Sequence, residues 1–166
     1  MQGTTIISTV DALGTYKDTG YRMLAECGLS NPKPDAWYSM QILGDFFEAI
    51  TLKIGNATLF MLGKAVAESM DLPPQIDTIE KLYGSFDQVY KMTFKNVASS
   101  EGWSFKPTGA NKATLSFCGP FPDDYCRGVA EGFGKRFAKK LSVKVDETQP
   151  RLDQGGKSVN LIVSWS

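Results

Sequence analysis

The chain has 166 residues, with 18 Lys and Arg balanced by 18 Asp and Glu, and no histidine. The length suits one domain with a real core. Balanced charge gives no ground for binding nucleic acid or an anionic membrane, and the missing His removes the commonest general base and the commonest metal or haem ligand.

No basic segment precedes an apolar run, and no stretch reaches membrane-span length. Neither a signal peptide nor a membrane span is therefore expected. Cys27, Cys118 and Cys126 are an odd, sparse set. They suit a reducing cytoplasm better than a disulfide scaffold, so a cytoplasmic location is expected.

Residues 4–13 place Ile6, Ile7, Val10 and Leu13 on one helical face, although β-branching leaves a strand open. Tyr16, Gly20, Met23, Leu24 and Cys27 mark a second short helix, stopped by Gly28. Residues 31–35 form a Pro-rich loop. Ser39 can cap a helix over 39–54 that carries Leu43, Phe46, Phe47, Ile50 and Ile54 at helical spacing. Asn56 can cap the next helix, over 56–70, with Leu59, Leu62, Val66 and Met70 on the side of Gly63 and Ala67. Pro73-Pro74 breaks the chain. Thr78 can cap a helix over 78–95 bearing Ile79, Leu82, Tyr83, Phe86, Val89, Tyr90 and Phe94.

The last third changes period. Trp103 and Phe105 alternate with polar residues, as do Ala113, Leu115 and Phe117 across the turn residues 107–111. This pattern predicts an antiparallel hairpin with one apolar face. Gly119-Pro120-Phe121-Pro122 ends the second strand. Asp123 is placed as the N-cap of a helix whose stripe runs from Cys126 to Leu141, with Lys135, Arg136, Lys139 and Lys140 in its last turns. Its small residues Gly128, Ala130, Gly132, Gly134 and Ala138 should admit close neighbours. Strands are predicted near 101–106, 112–118, 142–148 and 158–165. The fold class is α+β: a helical part, 1–98, packed on a four-stranded antiparallel sheet belonging to a ββαββ unit, 99–166.

Candidate chemistry is sparse. Cys118 and Cys126 could be a redox pair or a soft-metal site. They fit two small buried hydrophobes better, because metal sites favour tighter ligand pairs and histidines. Asp123 and Asp124 read as a cap and a first-turn acid rather than a catalytic pair. Gly128, Gly132 and Gly134 fall inside a helix, not at the strand-to-helix turn that a phosphate cradle needs. The basic cluster at 135–140 reads as a solvated helix end. The many aromatics are either plain core or the walls of an apolar pocket under helices 39–54, 56–70 and 78–95.

The whole chain resembles a superfamily of ligand-sensing domains. It includes haem nitric-oxide-binding domains, 4-vinyl reductase-like domains and small subunits of the TRAPP tethering complex. The likeness is greatest to bacterial haem-NO-binding-like stand-alone proteins. It is carried by Trp37-Tyr38, Leu59-Phe60-Met61-Leu62-Gly63-Lys64, Gly102-Trp103, Pro120-Phe121-Pro122, Arg127-Gly128-Val129-Ala130-Glu131-Gly132, and the Gly155-Gly156 turn before a strand ending at Trp165. The resemblance implies helices over a sheet with one crossing helix, a pocket between the layers, and often dimerisation. Three departures stand against a direct transfer of site residues. The proximal histidine is missing. Leu115-Ser116-Phe117-Cys118-Gly119-Pro120 does not match the Tyr-x-Ser-x-Arg motif that holds haem propionates, and residues 146–166 lack the cysteines of the vinyl-reductase-like members.

The function expected from this reading is a non-enzymatic small-molecule-binding or sensory domain, residues 1–166. Its apolar ligand would lie against Phe46, Phe47, Ile50, Tyr90, Phe94, Cys118 and Tyr125. No metal and no cofactor are expected, and no histidine-ligated haem in particular, with thiolate or Tyr ligation remaining chemically possible. A homodimer through the N-terminal helices is expected. The alternative is an adaptor acting through dimerisation.

Overall fold

The structure is a computed structural model and describes residues 1–166, with the side chain of Asp153 excepted. Six α-helices and four strands follow the predicted order. They are α1 (Gly3–Asp11), α2 (Lys17–Glu26), α3 (Met40–Lys53), α4 (Asn56–Ser69), α5 (Ile79–Thr93), β1 (Gly102–Gly109), β2 (Lys112–Cys118), α6 (Asp123–Gly134), β3 (Leu141–Val145) and β4 (Val159–Trp165). The first segment is a helix, because its apolar residues fall at helical spacing and bury Ile6 and Val10 together.

The strands form one antiparallel sheet in the order β1-β2-β4-β3. Ala113, Leu115 and Phe117 of β2 share the inner face with Val159, Leu161 and Val163 of β4, and all six are fully buried. Ser116 and Asn160 pair on the outer face, joined by a 2.8 Å side-chain hydrogen bond. β1 runs past Pro107 to Gly109, longer than predicted. An edge strand tolerates a proline because its outward N–H needs no partner.

Ser39 and Thr78 cap α3 and α5 as expected, accepting from the amides of Gln41 and Lys81. Other expected boundaries shift. α4 is capped by Gly55, with Asn56 already helical. Ile54 and Met70 follow the last turns of α3 and α4 and are exposed instead of completing the apolar stripes. α6 is preceded by Pro122, so Asp123 is its first residue and not its cap. That helix stops at Gly134, well short of Leu141. Arg136 lies beyond it and donates to the Met70 carbonyl at 2.6 Å, so this part of the basic cluster ties α6 to the end of α4.

The layering also differs from expectation. α5 packs on β1, and α6 packs on β3 and β4. α4 crosses α6 and α3 packs on α4, so α3 and α4 stand chiefly behind α6 rather than directly over the sheet. Glycines set that crossing. A Cβ at Gly63 would lie 2.2 Å from the Tyr125 carbonyl oxygen, and one at Gly128 would lie 2.1 Å from that of Phe60. Backbone touches backbone here, so no side chain fits between the helices.

Candidate ligand site

Where α3, α5, α6 and β2 converge, rings fill the space. Phe47 of α3 lies 4.6 Å from Tyr125 of α6, centroid to centroid. Tyr90 lies 4.8 Å from Phe94 and meets Phe117 of β2 edge-on at 5.2 Å. Phe121, between β2 and α6, joins the two groups. It meets Phe47 at 6.1 Å and Phe94 at 5.5 Å, and stacks on Phe117 at 5.4 Å. Trp103 extends the cluster from Phe117 to Phe86, at 4.8 and 5.2 Å. Such tilted and edge-on contacts add about 0.5–1.5 kcal/mol per pair to simple burial.

Of the residues named from sequence, Phe47, Tyr90, Phe94 and Tyr125 enter this cluster, and Phe46 joins it through Phe47 at 6.3 Å. Ile50 is fully buried on the same helix. Cys118 ends β2 half-buried, on the face opposite Phe117. Tyr125 lies in the first turn of α6. Phe117, Phe121 and Trp103 were absent from the predicted site. Phe121 carried a usable signal: a large apolar ring between two prolines cannot belong to a ladder and must pack elsewhere.

Polar groups inside the cluster are few. The Tyr90 hydroxyl donates to Glu101 at 3.3 Å, and burial, then the carboxylate of Glu101, raise its pKa. The Tyr125 hydroxyl is hydrogen-bonded to Thr9, yet burial still raises its pKa. Cys126 is fully buried, its thiol 3.8 Å from the Phe121 carbonyl oxygen, and burial pushes its pKa well up. All three groups are therefore protonated at neutral pH. Among the described residues, no three His, Cys, Asp or Glu side chains come together as a metal site.

A surface cleft of about 390 Å³ is lined by chain neighbours of Phe47 and Phe121, though by none of the rings themselves. Gly44, Glu48 and Thr51 wall one side, on the turns of α3 that carry Phe47. Pro120 and Pro122 wall the other, flanking Phe121. Asp123 and Asp124 lie at its edge. There Asp123 accepts from the Leu152 amide at 3.1 Å, and Asp124 pairs with Arg151 at 2.8 Å and Arg127 at 3.3 Å. These acids hold the loop before β4 against α6.

No family model and no curated protein matches the chain. Solved structures do match, over nearly its full length. An H-NOX protein from S. oneidensis in the Fe(II)NO ligation state is 14% identical, with all of this chain and 99% of that one covered and a TM-score of 0.75. An oxygen-binding H-NOX domain related to soluble guanylate cyclases is 16% identical, with 100% and 95% covered and a TM-score of 0.69. A structure described for modulation of haem redox potential through protein-induced porphyrin distortion is 16% identical, with 99% and 100% covered and a TM-score of 0.69. The fold is thus haem-NO-binding-like, as the resemblance implied.

These matches correct the expectation of no cofactor. Two of the matching structures are described by their haem, which stands against the expectation of none. The expectation rested on the missing histidine, which excludes one axial ligand. Tyrosine and cysteine also hold haem iron in proteins, so the inference from ligand to cofactor was too strong.

Proposed function

We propose that residues 1–166 act as one non-enzymatic ligand-sensing domain, taking a flat apolar molecule at the ring cluster between the helices and the sheet. One observation carries this reading. The aromatic cluster joins rings from both layers, and chain neighbours of Phe47 and Phe121 line a surface cleft. Apolar walls supply affinity at roughly 25 cal/mol per Å² of surface removed from water.

Haem is the first candidate, on the strength of the fold. The donor chemistry of the cluster suits its iron through oxygen or sulfur, at Tyr90 or Cys126, and not through a histidine nitrogen. Bound haem would supply an iron centre able to coordinate a small diatomic gas. The chain's own part would be to enclose the macrocycle in apolar rings and to supply a phenol oxygen or thiol sulfur for the metal, its proton going to solvent. Three unpaired cysteines suit the reducing cytoplasm expected from the sequence. No described helix is long and apolar enough to cross a membrane.

Native mass spectrometry of the purified protein identifies any co-purified ligand. Titration with haemin should give a Soret band that weakens in Tyr90→Phe or Cys126→Ser. If no ligand co-purifies and neither haemin nor a simple aromatic raises the melting temperature, the sensing reading fails. A second reading then stands, an adaptor working through a homodimer. Its support is the exposed apolar residues of the N-terminal helices, Leu52 at 77%, Met61 at 58% and Ile54 at 53% exposure. Sedimentation showing only an 18.2 kDa monomer at high concentration would reject it.

A further inference from the structure

Phe121 differs from the other rings in what holds it. Phe47 stands on α3, Tyr90 on α5, Tyr125 on α6 and Phe117 on β2. Phe121 stands on the short connection between β2 and α6, in no helix or strand. Among the described residues its amide donates no hydrogen bond, and its carbonyl accepts only the weak one from the Cys126 thiol. The prolines on either side have no N–H to donate. The segment is therefore held by the packing of its ring and not by backbone bonds, so a ligand that replaces those ring contacts removes most of what holds it.

Its ring nevertheless occupies the centre of the cluster. It lies nearly parallel to Phe117, at 12°, and receives edges from Phe94 at 61°, Tyr125 at 69°, Phe47 at 80° and Tyr90 at 87°. The slot has one face platform and four edges, the arrangement that a flat aromatic molecule prefers. The cleft of about 390 Å³ has Pro120 and Pro122 in its wall, so it can receive a ring turned outward from the residue between them.

We propose that Phe121 is a removable plug. Its ring holds the slot that a flat aromatic ligand of one or two rings takes, and it swings into the cleft when that ligand binds. Phe117 is the stacking platform, and Phe47, Tyr90, Phe94 and Tyr125 fix the plane. This inference rests on the reading of the ring cluster as the ligand site, and it adds the residue that gates it. Apparent affinity is then lowered by the fraction of molecules in which the plug is out, and removing the ring restores it.

The test uses the full chain and indole as the probe. Calorimetric titration is run on the wild type and on Phe121→Ala. Fluorine NMR is run on wild-type protein carrying 4-fluorophenylalanine at position 121. Indole should bind Phe121→Ala at least about tenfold more tightly than the wild type. In the labelled protein, indole should move the position-121 resonance toward its solvent-exposed value. If indole binds the wild type while that resonance stays put, and Phe121→Ala gains nothing, the plug is wrong and the ligand reading stands. If indole binds Phe121→Ala alone and the resonance never moves, Phe121 is a fixed core ring and the plug is again wrong. If neither protein binds indole, the plug falls, and haemin titration of the wild type then decides the ring-cluster site by itself. Should Phe121→Ala not fold, Phe121→Leu takes its place with a smaller gain, and the fluorine measurement decides on the intact chain.

Discussion

α6 is shared by two regions that solve burial in opposite ways. Toward α4 it offers Gly128 and Gly132, which bring carbonyls and helix axes together with nothing between them. Toward α3 and the sheet it offers Tyr125, one of a group of large rings that keep the elements apart. The first region has a single solution, since neither helix backbone can move aside for a methyl group. The second is assembled from separate side chains, and one of them stands on a connection with little backbone support. Were the ring cluster to open for a ligand as proposed, the crossing would hold α6 in place while the rings rearranged.

The comparison breaks most completely at the crossing. Gly63→Ala with Gly128→Ala drives two methyl groups into facing backbone at 2.2 and 2.1 Å. Each exceeds ordinary overpacking, which costs about 1–3 kcal/mol. Set against a total stability of about 5–15 kcal/mol, the pair should leave no cooperative unfolding transition by circular dichroism. A melt within a few degrees of the wild type would mean that α4 and α6 part freely, and the contrast would collapse.

Among the rings, Phe117→Ala should cost about 3–5 kcal/mol, the usual figure for a truncated core aromatic. Phe117 is held by a strand with neighbours on both sides, so the cavity cannot collapse. Phe121→Ala should cost visibly less, because its segment lies outside the sheet and helices and can settle inward. Urea titration of the two variants decides this, and equal losses would place Phe121 with the fixed rings.

Alkaline pH should weaken the tyrosine-bearing side alone. Burial raises Tyr83, Tyr90 and Tyr125 above the ordinary 10.0, and Cys126 above 9.0. The folded state therefore holds protons that the unfolded chain has released. Stability is fully present below pH 9 and falls as pH rises past the unfolded values, by up to about 1.4 kcal/mol per pH unit for each group. Urea midpoints between pH 8 and 11 check the sign. Tyr83→Phe should flatten the slope, at the loss of its buried 3.0 Å hydrogen bond to the Ala130 carbonyl. A flat profile would mean that the phenols titrate freely and are not held by the core.

Much of this contrast was legible in the residues, and the reasons for the rest are physical. Gly128 stood out among the small residues that should admit a close neighbour, while Gly63 was placed only on the apolar side of its helix. The four strands showed as period-two alternation, which survives any packing of the sheet. The layering did not show, because a stripe says which face is buried and not which element covers it. Phe47 and Phe94 were found as helix-face aromatics. Phe121 was passed over, since periodicity is blind in a segment with no period. No cofactor was expected because histidine is missing, and composition speaks to one axial ligand type rather than to the fold.

The smallest effect sharpens the comparison from the other side. Gly84 sits in the interior of α5, exposed, with no heavy atom within 4 Å of where a Cβ would stand. It is a glycine with neither a close neighbour nor a positive φ to require it. Gly84→Ala should therefore remove backbone entropy from the unfolded chain and stabilise the protein by about 0.5–1 kcal/mol. That corresponds to a rise in melting temperature of about 1–4 °C for a chain of this size. The sign is what matters, because the same substitution that destroys the fold at Gly128 is a gain here. The scan should be made at two protein concentrations. A loss in place of a gain, larger at the higher concentration, would mean that a second copy of the chain covers this face of α5 and uses the missing side chain as the α4–α6 crossing does. A loss independent of concentration would mean that α5 bends or shifts at Gly84, and open space alone would no longer separate a dispensable glycine from a required one.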